Sequence, residues 1–477
     1  MKPNILLLMP DQMRGDCISL AGHAAVMTPN LDALGAAGLQ CARAYSTCPS
    51  CIPARRSLLT GQYPASSGMV GFVDGHPLRA PTLPQTLHDA GYHTAIAGRY
   101  MHQSPCDEPY GYETRVIGST YVDNDDYSRW LEDHAPDCGG IRGHGVSFNG
   151  WQARPWQLPD YTHPTNWVVQ TARTILDEHD RGRPLFLTAS FYAPHPPLIP
   201  PAFYLDRYLR LELPPPARGD WAERPPNDGL GLPVDATQCV LEGERGRAAQ
   251  AGYYGLINHI DDQLTWLIRD FVAASRVMKR EWVIVFTVDH GEMLGDHYYF
   301  RKCEPYEGSS RIPLLIQGSP GLGFEPGQTS SQPVCLEDIM PTLLQLADVD
   351  IPPTVDGVSL LPLLRAETQT VRQVLHAEHA PCYSVPQGFQ MLTDGREKYI
   401  WRPHDGREQL FDLTHDPQEL HDLGRVPDAR DRVAVWRQRL VEQLQHRPEG
   451  FSDGTRLIAG RDYPAVMPHL KAATAEV

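Results

Sequence analysis

Two strongly apolar runs constrain the fold of this chain more than any other feature of its sequence. Residues 184–192 and 281–288 are both short, and the second run is rich in β-branched side chains. Strands without alternating polar positions are typical of parallel sheets that are covered on both faces. The sequence therefore predicts two central, mostly parallel strands of an α/β fold.

Shorter strands and helical patterns alternate around these two runs, as expected for an α/β domain. The further predicted elements are strand 5–9, helix 28–38, helix 82–91, strand 94–97 and helix 246–273. The pattern changes near residue 370. There the sequence predicts antiparallel strands within 388–401 and 408–413, followed by an amphipathic helix over 429–445.

The predicted architecture is a large α/β domain with a smaller α+β subdomain. Residues 1–369 are predicted to form the large domain, with a central mostly parallel sheet flanked by helices. Residues 370–477 are predicted to form the C-terminal subdomain, with an antiparallel sheet.

Composition excludes several classes of partner. The 477 residues include 42 Lys plus Arg and 58 Asp plus Glu, which gives a formal charge of −16. That balance argues against nucleic acid or an anionic membrane as the main partner. No segment approaches the roughly 18 uninterrupted apolar residues of a membrane helix, and the apolar run 5–9 is too short for a signal peptide. We therefore expect a cytoplasmic protein whose scattered cysteines are mostly reduced.

Polar pairs follow two of the predicted strands at the points where the strands end. Asp11 and Gln12 come after the first strand, and Asp289 and His290 come after the second apolar run. Ligands gather beyond the carboxyl ends of parallel strands, so we expect one shared site. Oxygen ligands suit Ca²⁺, Mg²⁺ or Mn²⁺, whereas the imidazole favours Mn²⁺ or another transition metal. The alternative is that both aspartates cap helices.

The segment 48–61 has the composition expected of a nucleophile beside an anion-binding site. Pro53 fixes its own φ, and the residues after it favour a helix. Cys51 would then precede a helix N-terminus, where N–H groups favour an anion, and Arg55 adds a planar cation one turn later. Cys48 and Cys51 also form a C-x-x-C pair, so a redox or zinc site is the alternative.

The same segment resembles the Cys-x-Pro-x-Arg signature of the sulfatase family, in which the cysteine is oxidised to Cα-formylglycine. The matching residues here are Cys51-Ile52-Pro53-Ala54-Arg55, followed by Leu58 and Thr60-Gly61. The resemblance covers nearly the whole chain, and its other motifs are Asp11-Gln12, Gly98-Arg99-Tyr100, Pro194-His195-Pro196, Asp289-His290-Gly291-Glu292-Met293-Leu294-Gly295-Asp296-His297, Asp338-Ile339-Met340-Pro341-Thr342, Asp356-Gly357-Val358-Ser359-Leu360 and Leu410-Phe411-Asp412-Leu413. Phosphonate monoester hydrolases of the alkaline-phosphatase-like superfamily share this pattern.

The resemblance implies one divalent metal ion, with Ca²⁺ favoured and Mn²⁺ or Mg²⁺ as alternatives. The implied ligands are Asp11, Gln12, Cys51 as formylglycine, Asp289 and His290. Many relatives have Asn where His290 stands, and His resembles the phosphonate hydrolases. Hydrated formylglycine carries two hydroxyls: one attacks sulfur, and the other then loses its proton, regenerating the aldehyde and expelling sulfate.

The resemblance also implies roles for five basic residues. Arg55 would orient the diol, and Lys302 would bind sulfate. Arg99 stands where the family usually has Lys, and its plain alternative is a surface charge. His102 falls one residue later than the family histidine, which leaves its role as a base open. His195 would be the general acid or a sulfate-binding imidazole.

The implied function is hydrolysis of sulfate monoesters, with an aryl or carbohydrate leaving group. The first alternative is phosphonate monoester or phosphodiester hydrolysis at the same site. Another is a non-catalytic binding protein in which Cys51 stays a thiol. The implied partners are a small sulfate ester and a formylglycine-generating or other sulfatase-maturating enzyme, and a homo-oligomer is left open.

Overall fold

An eight-stranded sheet forms the centre of the computed structural model, which describes residues 2–101, 103–118, 124–226 and 234–467. The strands of all sheets, in chain order, are β1 (Asn4–Asp11), β2 (Leu39–Cys41), β3 (Ala44–Tyr45), β4 (His93–Gly98), β5 (Thr114–Ile117), β6 (Leu185–Pro194), β7 (Trp282–Thr287), β8 (Arg311–Ile312), β9 (Leu314–Gly318), β10 (Gln328–Ser330), β11 (Val334–Cys335), β12 (Leu375–His379), β13 (Phe389–Thr393), β14 (Glu397–Trp401) and β15 (Glu408–Asp412).

The central sheet has the strand order β10-β2-β9-β7-β1-β6-β4-β5. β1 runs parallel to β6 and to β7, and β4 runs parallel to β6 and to β5. The predicted central strands are therefore confirmed as β6 and β7. β9, which the sequence analysis does not identify, is antiparallel to β7 and to β2 and makes the sheet mixed.

Complete burial of β1, β6 and β7 explains their strongly apolar sequences. Leu8 lies opposite Ala189 on one side and Phe286 on the other, and none of the three is exposed. Because both faces of these strands are covered, most of their positions favour an apolar side chain. The charged residues of this region therefore stand at the carboxyl ends of the strands, where they are still buried.

Helices flank the central sheet. α6 packs against β4 and β6, and α8 packs against α6, α7 and β6. The helices in chain order are α1 (Pro29–Ala36), α2 (Cys51–Thr60), α3 (Pro64–Ser67), α4 (Leu83–Asp89), α5 (Asp126–His134), α6 (Pro164–Glu178), α7 (Ala202–Leu209), α8 (Gly243–Val277), α9 (Glu307–Ser310), α10 (Ile339–Leu346), α11 (Leu361–Leu364) and α12 (Arg430–Leu444). None of the described helices combines the length and apolar character needed to cross a bilayer.

The C-terminal sheet, β12-β13-β14-β15, is antiparallel throughout. Tyr399 and Trp401 pack with Trp436 of α12 on one face. Ile400, between them in sequence, packs on the other face with Tyr306, which precedes α9. This alternation places the sheet between α12 and the rest of the molecule, and it confirms the predicted antiparallel sheet.

We propose that the boundary between domains 1–369 and 370–477 lies in the connection from α11 to β12. The end of the described chain nevertheless returns to the large domain, since Val70 N–H donates to Ala465 O and Met467 N–H donates to Gly68 O, both at 2.9 Å. The smaller domain therefore contacts the large domain both through its sheet and through its terminal segment.

Candidate active site

The polar residues expected at strand ends meet at one edge of the central sheet. Asp11 is the last residue of β1, and Asp289 follows β7 by two positions. His195 directly follows β6, and Arg99 directly follows β4. Because these four strands are parallel neighbours, their carboxyl ends lie together. The structure thus assembles residues that are far apart in sequence.

Two buried arginines hold the outer oxygens of the two carboxylates. Arg55 Nη2 lies 3.0 Å from Asp11 Oδ2, and its Nε lies 3.0 Å from Asp289 Oδ2. Arg99 Nε lies 2.6 Å from Asp11 Oδ2. Burial alone would raise the pKa of Asp11, but the charges of Arg99 and Arg55 outweigh it and hold that pKa well below its usual range. Asp11 is therefore a carboxylate.

The inner oxygens converge with a thiol and an imidazole in what we call the strand-end cluster: Asp11, Cys51, Asp289 and His290. One ligand atom from each residue lies within 4.8 Å of the other three, and all four side chains are buried. Burial and then the charge of Asp11 raise the pKa of Asp289. A divalent cation would relieve this crowding of negative charge, so the donor set fits such an ion.

Helix capping does not explain the two aspartates. In the described chain the next helical turns begin only at Ser19–Ala21 after Asp11 and at Asp296–Tyr298 after Asp289. Instead, Asp289 Oδ1 accepts a hydrogen bond from the Gln12 backbone N–H at 3.1 Å. The capping alternative is therefore wrong.

Cys51 is the first residue of α2, and Ser50 before it is extended, with φ −153° and ψ 154°. The Cys51 Sγ atom lies 2.8 Å from Lys302 Nζ and 3.2 Å from His290 Nε2. Burial and the Asp11 charge raise the pKa of the thiol, but the charges of Lys302 and His290 outweigh them and lower the pKa overall. The side chain at position 51 is thus held in a cationic environment at a helix start.

Lys302 joins Cys51 to two further polar side chains. Its Nζ lies 3.1 Å from Gln12 Oε1 and 3.2 Å from His195 Nε2. His195 Nδ1 lies 2.7 Å from the Pro196 carbonyl oxygen, so Nδ1 carries the hydrogen and Nε2 accepts from Lys302. Burial and the Lys302 charge hold the pKa of His195 well below its usual value, so the ring is neutral.

The chain matches known protein families over most of its length. A family model described as sulfatase matches residues 3–349, which is more than half of the sequence. The chain belongs to the sulfatase family. A second family model, the C-terminal part of N-sulphoglucosamine sulphohydrolase, matches residues 295–446.

Members of the sulfatase family and related hydrolases align over nearly the full length. An arylsulfatase of Clostridium perfringens is 36% identical over 491 residues, covering 99% of this chain and 100% of the relative. A choline-sulfatase of Rhizobium meliloti is 30% identical, covering 89% of this chain and 83% of its own. The crystal structure of a phosphonate monoester hydrolase of Agrobacterium radiobacter superposes with a TM-score of 0.80 at 25% identity, covering 93% and 96%.

Family membership makes this chain a sulfuric ester hydrolase. Sulfatases use a metal ion and a formylglycine, and the strand-end cluster supplies a buried group of residues that could bind such an ion. The alkaline-phosphatase-like fold inferred from the sequence is confirmed by the structural match.

Burial and contacts bear on two of the alternatives that the sequence leaves open, the surface charge at Arg99 and the redox or zinc role of the cysteine pair. Arg99 is not a surface charge, since it is fully buried with its guanidinium 4.9 Å from the Tyr192 ring centroid. Cys48 and Cys51 are both free thiols, and Cys51 contacts Lys302 rather than Cys48. Burial raises the pKa of Cys48 well above its usual value, which disfavours a reactive thiolate there. His102 lies outside the described residues.

Two residues that bond to side chains or backbone of this sulfatase site have no role in the sequence analysis. Glu292 accepts from Gln12 Nε2 and from the Arg301 backbone N–H, both at 2.5 Å. Ser190 Oγ, in the middle of β6, lies 3.2 Å from Arg55 Nη1. Glu292 stands inside the Asp289–His297 motif, which gave a signal for it, whereas Ser190 has no distinguishing sequence context.

Proposed function

We propose that this sulfatase hydrolyses sulfate monoesters with an aryl or carbohydrate leaving group, using formylglycine derived from Cys51. One observation carries the proposal: Cys51 Sγ lies among two carboxylates and an imidazole and 2.8 Å from the Lys302 ammonium. Metal ligands on one side and a cation on the other suit a nucleophile that must approach an anionic ester. The full-length similarity to the Clostridium arylsulfatase supports the aryl class.

Asp11, Gln12, Asp289, His290 and residue 51 are the proposed ligands of one divalent ion, with Ca²⁺ favoured and Mn²⁺ or Mg²⁺ as alternatives. When bound, such an ion lowers the pKa of a coordinated hydroxyl and neutralises charge on an ester oxygen. Gln12 fits this set through its amide oxygen, which already faces Lys302 beside Cys51.

Arg55 and Arg99 hold the ligand carboxylates in place, and their charges keep Asp11 ionised. Arg55 bridges Asp11 and Asp289 through separate nitrogens, so neither carboxylate can rotate without breaking a charge-assisted bond. Such preorganisation supports catalysis because the groups do not have to reorient as negative charge develops.

His195 is the proposed general acid, and Nε2 is the atom that would take up and then donate the proton. The ring is neutral in the structure, and its Nε2 accepts from Lys302. An arriving sulfate brings negative charge, which raises the pKa of a neighbouring imidazole and favours uptake of a proton at Nε2. His195 would then donate that proton to the leaving oxygen, while Lys302 binds the sulfate.

The second candidate function is hydrolysis of phosphonate monoesters or phosphodiesters. It is favoured by His290, which resembles the phosphonate-hydrolase pattern, and by the structural similarity to the Agrobacterium enzyme. Sulfate monoesters, phosphonate monoesters and phosphodiesters each carry one negative charge, so the same cations suit all three.

The kinetic test uses a sulfate, a phosphonate and a phosphodiester with the same aryl leaving group. We expect the sulfate ester to have the highest kcat/KM. A phosphonate or phosphodiester in first place would favour the second candidate, and a sulfate in last place would overturn the proposal.

Modification of Cys51 is tested by mass spectrometry. Trypsin cleaves after Arg43 and Arg55, so one peptide, residues 44–55, contains both Cys48 and Cys51. Conversion by a maturating enzyme removes about 18 Da from residue 51, and fragment ions distinguish the two cysteines. An active enzyme with both thiols intact would contradict the proposed nucleophile.

A further inference from the structure

The segment that leads into α2 is bound by a histidine from the C-terminal sheet. Ser50 Oγ lies 2.8 Å from His379 Nε2, a contact between residues 329 positions apart. His379 Nδ1 lies 2.5 Å from the Ala380 carbonyl oxygen, so Nδ1 carries the hydrogen. His379 Nε2 is therefore the acceptor, and the Ser50 hydroxyl donates.

Ser50 makes this long-range bond instead of the local one that its position favours. A serine immediately before a helix usually accepts a hydrogen bond from an N–H of the first turn and so stabilises the helix. Here the Ser50 side chain makes no such capping bond to α2. The hydroxyl thus connects the helix that carries Cys51 to β12 rather than completing the helix itself.

Two further backbone bonds hold the same segment. The Glu378 N–H, beside His379 on β12, donates to Thr47 O at 2.8 Å. The Cys303 N–H, beside Lys302, donates to Pro49 O at 3.0 Å. The approach to Cys51 is therefore fixed by the same short stretches that carry Lys302 and His379.

His379 itself has little freedom to move. Both Ser50 and His379 are fully buried, and the His379 ring stacks against Phe389 with 6.5 Å between ring centroids. Burial also lowers the pKa of His379 to about 4, so the ring is neutral. A buried, neutral acceptor on a strand is a rigid support for the residue that it holds.

We propose that His379 is a positioning residue for this enzyme: through Ser50 it fixes the orientation of residue 51 at the start of α2. This inference rests on the proposed function, because it assigns residue 51 the reacting group. A displacement of about 1 Å in a reacting group can lower turnover about 100-fold, so a contact outside the site can control its rate. The C-terminal sheet then contributes to catalysis without contacting the substrate.

The kinetic test uses His379→Leu, Ser50→Ala and the double variant. Each single change should lower kcat by about 10- to 100-fold and alter KM by less than about threefold, and the double variant should be no worse than either single variant. Rates are divided by the formylglycine content of peptide 44–55. His379→Gln keeps an acceptor and should lose less activity than His379→Leu.

His376→Leu is the matched control. His376 lies on the same strand and bonds Gln390 Oε1 at 2.7 Å, so its loss perturbs β12 without affecting Ser50. We expect normal kcat in this variant. An equal loss of kcat in His376→Leu, losses that multiply in the double variant, or unchanged kcat in Ser50→Ala would each overturn the inference.

Hydrogen exchange separates this inference from the proposed function. Amides 52 and 54 at the start of α2 should exchange about tenfold faster in His379→Leu and in Ser50→Ala, but not in His376→Leu. This measurement needs no substrate, so it tests the positioning contact even if wild type fails to hydrolyse sulfate esters. Unchanged exchange in both variants would overturn the inference.

Discussion

Two clusters of buried charge in this sulfatase both contain carboxylates, but they differ in the groups that face the carboxylate oxygens. The inter-sheet cluster, between α9 and the C-terminal sheet, consists of Arg43, Glu307, Lys398 and Glu419. Lys398 Nζ lies 2.8 Å from both Glu307 Oε1 and Glu419 Oε1, and Arg43 Nη1 lies 3.0 Å from Glu307 Oε2. Each carboxylate there meets a protein cation at ion-pair distance.

The strand-end cluster is paired with arginines only at the outer oxygens of its carboxylates. Asp11 Oδ1 and Asp289 Oδ1 lie 3.9 Å and 3.8 Å from His290 Nε2, beyond the range of a hydrogen bond. Buried charge by itself therefore does not indicate a functional site. The distinguishing feature is a set of carboxylate oxygens directed toward ligand-type side chains rather than toward a lysine or an arginine.

The largest effect is expected from Cys51→Ala. Loss of the proposed precursor of the nucleophile should lower kcat by at least about 10⁴-fold. The free energy of unfolding should change by less than about 1 kcal/mol, because the inter-sheet cluster remains intact. Steady-state kinetics and urea unfolding measure the two quantities. Cys48→Ala is the matched control and should retain activity; substantial turnover by Cys51→Ala would contradict the assignment.

Removal of divalent metal should affect the strand-end cluster alone. Chelator-treated wild type should lose activity by at least about 100-fold and regain it when Ca²⁺ is added, with Mn²⁺ and Mg²⁺ as comparisons. Its Tm should also fall, because an ion bound only to the folded state stabilises that state. Asp11→Asn should show a Tm that is insensitive to Ca²⁺. Full activity after verified metal depletion would argue against a metal site.

Lys398→Met tests the inter-sheet cluster. Removing the shared cation leaves Glu307 and Glu419 buried without it, so unfolding free energy should fall by about 3–5 kcal/mol. The kcat of the folded fraction should stay within about threefold of wild type, since Lys398 contacts no strand-end residue. Adding Glu419→Gln should restore part of the stability. A large loss of kcat without a loss of stability would show that the inter-sheet cluster is functional rather than structural.

A smaller effect on stability is expected at the Glu378–Arg447 pair, in which the carboxylate is also neutralised by a protein cation. Arg447 nitrogens lie 2.7 Å from both Glu378 carboxylate oxygens. Burial raises the pKa of Glu378, but the charge of Arg447 outweighs this effect. The pKa of Glu378 is therefore lowered from 4.5 to about 2. A depressed folded-state pKa gives stability that is present above the unfolded value and lost as pH falls toward 2. The loss should be about 3 kcal/mol.

Urea unfolding from pH 6 to pH 2.5 measures this contribution. Other carboxylates add to the acid dependence of wild type, so the informative quantity is the difference from Glu378→Gln. That variant should show a flatter pH dependence than wild type. Parallel curves for the two proteins would show that the pair adds no pH-dependent stability.

Much of the central sheet was predictable because its strands are buried on both faces. The apolar runs that form β6 and β7 can be identified as strands without knowing which segments they pair with. The polar residues after them mark where each strand ends. The site motifs were predictable for the same reason: Asp11 and Asp289 come directly after such runs. Sequence therefore indicated the edge of the sheet at which the site forms.

Contacts between distant segments were not predictable where the residues follow no strand end and belong to no motif. β12 reads Leu-His-Ala-Glu-His, a polar pattern that hides a buried strand, because Arg447 and Ser50 neutralise or bond its polar side chains only in the folded protein. Lys398 gives no local signal of burial either, since its two partners come from other segments. A single polar residue whose partner lies far along the chain leaves no periodicity to detect.

The Ser50–His379 contact also determines when, during synthesis, the Cys51 segment can reach its final structure. His379 is synthesised 329 residues after Ser50, so this contact cannot form until most of the chain exists. At translation rates of about 5–20 residues per second, that interval is roughly 15–65 s. Until then, the Cys51 segment lacks the Ser50–His379 bond that holds it in the folded protein. The oxidation that we propose for Cys51 would therefore have this interval in which to precede completion of the site.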